Sequence, residues 1–204
     1  MSDWYRGRKK QNMQEVEKVV VIGPESTGKS SLCQLLSKHY DTIWCPEFAR
    51  EYLLKHGTNY TYKDLLTIAK GQIALEDEYL IKARKNWEIK NSRLKNPLLF
   101  VDTDMNVMKV WCEYVFGKCH TYIVNKITER KCNLYLLCNI DLPWVKDELR
   151  EYPDLQSRKE LFYIYKDILI NQDVPWTLIS GNYEERLQIA IKSIDGMLFN
   201  QPRR

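Results

Sequence analysis

The chain has 204 residues, 44% of them hydrophobic and 28% charged, with a formal net charge of +4. That is enough chain for one domain with a full core, and the composition excludes a disordered or collagen-like polymer. No apolar run reaches the ~18 residues needed to cross a bilayer, and the polar residues 1–10 lack the apolar stretch of a secretory signal, so a cytoplasmic location and no membrane partner are expected.

The positive charge sits at the ends. The first ten residues carry +3 and the last two +2, which leaves −1 for residues 11–202. Binding to a phosphate backbone needs a basic face, so nucleic acid is not expected as a partner. The ends read as solvated tails, 1–17 and 199–204, around one domain at 18–198. Cys33, Cys45, Cys112, Cys119, Cys132 and Cys138 contain no C-x-x-C, and all but Cys119 have apolar or aromatic neighbours, which suits buried thiols better than metal ligands or a disulfide framework.

In chain order, the β-branched run 18–22 predicts a central parallel strand and 30–40 the helix after it. Residues 42–45 predict a short strand stopped by Pro46, then a helix over 48–56 closed by Gly57. A long helix over 61–87 opens with Thr61 and Asp64 in capping-box spacing and buries Leu65, Ile68, Ala69, Ile73, Leu80 and Ala83 on one face. A third strand over 98–102, a helix over 105–116 ended by Gly117 and a fourth strand over 133–138 follow. The remainder reads as a helical turn over 144–150, a helix over 156–171, a fifth strand over 176–180 and a closing helix over 183–198. Strands separated by helices predict right-handed crossovers. The fold class is therefore α/β: a three-layer, doubly wound, five-stranded parallel sheet.

Gly23-Pro24-Glu25-Ser26-Thr27-Gly28-Lys29-Ser30 fits G-x-x-x-x-G-K-[ST] directly between a predicted strand and a predicted helix, the context the pattern requires. Glycines let backbone N–H groups turn inward around phosphate, Lys29 reaches the β and γ oxygens, and the Ser30 hydroxyl is a ligand for Mg²⁺. Gly23, Glu25, Ser26, Thr27, Gly28, Lys29, Ser30 and Ser31 are accordingly the expected ATP contacts. Leu99-Phe100-Val101-Asp102 has the form of a strand ending in a magnesium carboxylate. Asp104 suits both a helix cap and a contact to the acceptor. After the second strand, Glu47 and Arg50 share a helix face, a carboxylate to accept a hydroxyl proton beside a cation for anionic oxygens. In the segment after the fourth strand Arg150, and secondarily Arg158, are expected to steady the transferring phosphoryl group.

Together GPESTGKSSL, EFAREYL, Lys70-Gly71-Gln72, FVDTD with VMKVW, YLLCNIDLPWVKDELR and ISGNYEERL resemble the nicotinamide riboside kinase family, the kinase domain found in NadR proteins. The resemblance covers residues 19–187. It implies ATP, Mg²⁺ and transfer to the 5′ hydroxyl of nicotinamide riboside, with Lys29 and Ser30 at the phosphates, Asp102 on magnesium, and Glu47 with Arg50 near the acceptor. Where the family has a tryptophan before the glutamate, this chain has Pro46; Trp44, Phe48, Tyr52 and Trp111 are the candidate stacking residues.

Three other readings are weighed. A P-loop kinase for another nucleoside or a vitamin alcohol such as thiamine would differ only in its acceptor pocket. A regulatory GTPase would need [NT]-K-x-D, and the nearest string, Asn125-Lys126-Ile127-Thr128, ends in threonine. An ATPase acting on nucleic acid or protein would show a basic channel or an extra domain, and the sequence has neither pattern.

Overall fold

Short apolar runs become strands because helices cover both of their faces. The computed structural model describes residues 14–90 and 92–199. Strands β1 (Glu17–Ile22), β2 (Ile43–Cys45), β3 (Leu98–Asp102), β4 (Leu134–Cys138) and β5 (Trp176–Ile179) form one sheet in the order β2-β3-β1-β4-β5, with every neighbouring pair parallel. The crossovers that parallel neighbours demand are supplied by α1 (Lys29–His39), α2 (Phe48–His56), α3 (Tyr62–Ile89), α4 (Met105–Phe116), α5 (Thr121–Glu129) and α6 (Leu155–Ile170), and α7 (Tyr183–Phe199) closes the chain. The single α/β domain expected from the sequence is thus formed.

Alternation along the strands divides the core. Val19, Val21, Phe100 and Leu136 pack with Leu36 of α1 and Ile194 of α7 on one face. Val20, Ile22, Val101 and Leu137 meet Ala83 of α3, Val110 of α4 and Leu161 of α6 on the other. A third cluster, with Ala49, Ile68, Met108 and Ile123, binds α2, α3, α4 and α5 together beside the sheet. Five of the six thiols are buried and Cys119 is half-buried. Thr61 and Asp64 form the expected capping box, and the hydrogen bonds from Thr61 hold the Asp64 carboxyl down at about 2. Glu76, also on the inner face of α3, is buried against Lys18 of β1 at 2.8 Å.

Two segments differ from the sequence expectation. Helix α5 was unforeseen because its buried face is narrow: Ile123 is its one buried residue. The string Asn125-Lys126-Ile127-Thr128 lies inside this helix rather than in a loop at a strand end. Residues 144–150, expected as a helical turn, have no regular structure apart from a turn at Glu148 and Leu149. Their N–H groups go elsewhere: Val145 donates to Ser26 Oγ at 2.9 Å and Leu149 to Asp147 Oδ1 at 3.1 Å. The basic residues of the two expected tails lie outside the described residues. Among the described residues no helix is long and apolar enough to cross a membrane.

Gly71 marks where α3 meets α2. A Cβ there would lie 2.1–2.5 Å from three ring atoms of Phe48. Alanine gains about 1 kcal/mol in helix propensity but overpacking typically costs about 1–3 kcal/mol. Gly71→Ala is therefore expected to lower the denaturant midpoint in the wild-type background. In a Phe48→Ala background, where the ring is gone, the same substitution is expected to be neutral or stabilising.

Candidate active site

The carboxyl ends of β1, β2 and β3 open into one cleft of about 530 Å³, to which the segment after β4 contributes from Asp147 onward. Strand order reverses at β1, the position where open α/β sheets bind ligands. The loop after β1 turns through Ser26 at φ 57° and Gly28 at φ 77°, a left-handed conformation that suits glycine, and Gly28 starts α1 without any side-chain cap. An uncapped helix start presents free N–H groups and the positive end of the helix dipole to the cleft. Lys29 Nζ rests on the Pro24 carbonyl oxygen at 2.8 Å, so its charge is already held over the loop.

Asp102 ends β3 and is 1% exposed. Its Oδ2 accepts from Ser30 Oγ at 2.5 Å, whereas Oδ1 is buried with no hydrogen-bond partner. Burial raises its pKa, opposed by the Lys29 charge and the Ser30 hydroxyl. A buried carboxylate oxygen without a donor, beside a hydroxyl on the phosphate loop, suits a divalent cation. Thr103, next along, sits at φ 76° and turns the chain toward α4.

Glu47 is the N-cap of α2, yet its side chain makes no capping bond. Gln72 of α3 does that work: its Oε1 accepts the Phe48 N–H at 2.7 Å. The Glu47 carboxyl is left facing the cleft, where burial and then the Asp102 charge push it up to about 7 against the opposing charges of Lys29 and Arg50. Arg50 also lines the cleft and pairs with Asp147 through two bonds, at 3.0 and 3.3 Å.

Asp147 belongs to a strap, residues 140–154, laid across the phosphate loop. Glu25 accepts the N–H groups of Glu151 at 3.0 Å and Tyr152 at 2.6 Å, and Ser26 accepts that of Val145. Arg150 lines the cleft and donates to the Val145 carbonyl. Beneath the strap Arg186, 2% exposed, donates to the carbonyls of Gly181, Thr27 and Asn139 and pairs with Asp141, tying the loops after β1, β4 and β5 together.

Of the sequence-predicted residues, Gly23, Glu25, Ser26, Thr27, Gly28, Lys29, Ser30, Ser31, Glu47, Arg50, Asp102, Trp111 and Arg150 line this cleft. Four others do not. Phe48 packs over Gly71 instead, and Tyr52 donates to Asp64 at 2.7 Å and stacks on His56. Asp104 is used up as the cap of α4, accepting the Asn106 N–H and the Tyr135 hydroxyl. Arg158 is buried below the strap and holds the Leu142 carbonyl at 3.3 Å. Gln72 and Arg186 went unassigned, although both fall within motifs legible in the sequence.

The model of the AAA domain family AAA_28 matches residues 18–186. The chain belongs to that family. It is 26% identical, over 191 residues and 91% of its length, to the trifunctional NAD biosynthesis/regulator protein NadR of Escherichia coli K12, of which it spans 44%. Its fold is similar to a NadR protein solved in complex with NR, with a TM-score of 0.73 at 19% identity, covering 93% of this chain and 51% of that one. A NadR protein in complex with NAD and AMP-PNP is similar over the same shares, with a TM-score of 0.66 at 18% identity.

The phosphate loop can be tested by binding alone. A nucleoside triphosphate at a hundredfold excess over its Kd stabilises the folded state by about 2.7 kcal/mol, read as a rise in Tm. Lys29→Ala is expected to lose most of that rise while keeping the Tm of the free protein.

Proposed function

We propose that this domain, residues 18–198, transfers the γ-phosphoryl group of ATP to the 5′ hydroxyl of nicotinamide riboside, forming nicotinamide mononucleotide and ADP. The observation that carries the reading is a single cleft lined by the phosphate loop, by the aromatic side chains of Trp44, Trp111, Tyr114 and Tyr152, and by a carboxyl of raised pKa. Similarity to NadR, and to a NadR fold with NR bound, supports the choice of acceptor. The AMP-PNP complex of a similar fold supports ATP as donor.

The N–H groups at the start of α1 hold the β-phosphate, and Lys29 moves from the Pro24 carbonyl to the β and γ oxygens. Ser30 and Asp102 would hold Mg²⁺, which fits the unpartnered Oδ1 of Asp102 and would supply neutralisation of phosphate charge. Glu47 accepts the proton of the 5′ hydroxyl as its oxygen bonds to the γ-phosphorus and the bond to the ADP oxygen breaks. Arg150 and Arg50 neutralise the equatorial oxygens, Arg50 leaving Asp147 to do so, and the strap excludes water.

The acceptor assignment is tested by ADP release across a substrate panel. The riboside is expected to show a kcat/KM at least tenfold above adenosine, uridine or thiamine, a margin of about 1.4 kcal/mol in transition-state binding. Equal or better turnover of thiamine would assign the cleft to that vitamin alcohol.

Roles within the cleft separate by kinetics. A base must be ionised, so kcat/KM is expected to rise with pH through about 7 and to fall below it, rather than near the usual carboxylate range. Glu47→Gln should lower kcat at least a hundredfold with little change in the KM for ATP and abolish that acid limb, consistent with the ~10²–10⁴-fold range of such catalysis. Asp102→Asn should instead raise the Mg²⁺ concentration required for half-maximal rate.

A further inference from the structure

The cleft carries a charge that phosphoryl transfer does not use. Five carboxylates line the cleft, Glu25, Glu47, Asp102, Asp147 and Glu151, against three cations, Lys29, Arg50 and Arg150. Four of the five have employment: Glu25 holds the strap, Asp147 pairs with Arg50, Asp102 bonds Ser30, and Glu47 is the proposed base. Glu151 forms no ion pair among the described residues.

Its position is nonetheless fixed. Glu151 Oε2 accepts from the Tyr60 hydroxyl at 2.7 Å, and the Tyr60 oxygen accepts the indole N–H of Trp111 at 2.9 Å. Tyr60 and Trp111 meet edge to face, centroids 4.9 Å apart. Two hydrogen bonds therefore pin a carboxylate beside Trp111, which shares the cleft wall with Tyr114 and Tyr152, themselves edge to face at 5.3 Å. Partial withdrawal from water raises the Glu151 pKa, opposed by the Tyr60 hydroxyl, with the Glu25 charge adding to the rise. The protein supplies an anion and aromatic faces here but no cation, the complement of a ligand that brings its own positive charge on a flat ring.

We infer that Glu151 is a specificity-determining residue, selecting an acceptor whose aromatic ring is positively charged over one whose ring is neutral. The inference rests on the reading of the cleft as a riboside kinase. It also couples selection to closure, because the backbone N–H of Glu151 is held by Glu25 of the phosphate loop. A neutral ring bound beside this exposed carboxylate would displace water from it without supplying a compensating charge.

The test compares nicotinamide riboside, a pyridinium cation, with its 1,4-dihydro form, which has the same ribose and amide on a neutral ring. The ratio of their kcat/KM values is measured for wild type, Glu151→Gln and Glu151→Asp, with Tm confirming that each variant folds. Wild type is expected to favour the cation at least tenfold. Glu151→Gln, which can still accept from Tyr60, should reduce that ratio by about tenfold, mostly through the KM of the charged riboside, and Glu151→Asp should restore part of it. Tyr60→Phe, which unpins the carboxylate and keeps its charge, should fall between wild type and Glu151→Gln. An unchanged ratio in Glu151→Gln, with both ribosides still turned over, overturns the inference alone. Turnover of neither riboside by wild type, with nucleotide binding intact, overturns the acceptor reading and the inference with it.

Discussion

The first turn of α1 has N–H groups that no side chain caps among the described residues, and much of the described structure is arranged around them. Gly28 supplies the left-handed turn that starts the helix there, directly behind the central strand of the sheet. Arg186 holds the Thr27 carbonyl from below, while Glu25 and Ser26 of the same loop hold the strap above it. The loop that receives phosphate is thereby also the anchor of the segment that covers it. The strap and the loop therefore share their hydrogen bonds through the side chains of Glu25 and Ser26.

Opposing charges set the chemistry of the remaining wall. Glu47 stays free because Gln72 takes over the cap of α2, an arrangement that needs the close approach of α2 to α3 at Gly71. Its raised pKa comes from burial and from Asp102, and so from the same carboxylate whose second oxygen lacks a partner. One buried anion thus acts on both sides: it leaves an oxygen without a donor on one and raises the pKa of its neighbour on the other.

Local patterns carried most of the fold. The strands at 98–102 and the helix at 105–116 agree with the structure to the residue, since a doubly buried strand and a glycine-ended helix leave strong marks in sequence. Helix α5 left none, because a nine-residue helix lying at the edge of a side cluster buries little. Residues 144–150 of the strap read as a helical turn, because the strap's backbone partners Glu25 and Ser26 are more than a hundred residues away and periodicity holds no record of such bonds. The site shows the same division. Lys29, Ser30, Glu47 and Asp102 were legible from motif and strand end, whereas Asp104, Phe48 and Tyr52 have the right chemistry on faces that turn away from the cleft. Only the packing of α2 on α3 and of Tyr135 on α4 decides those directions.

The central claim is that the cleft delivers the γ-phosphoryl group to a riboside hydroxyl and not to water. The most direct measurement follows the label of [γ-³²P]ATP in the presence and absence of nicotinamide riboside. Transfer predicts label in the 5′-mononucleotide in proportion to ADP formed, with inorganic phosphate released slowly when the riboside is left out. Label recovered entirely as inorganic phosphate, at a rate the riboside does not alter, would contradict the account.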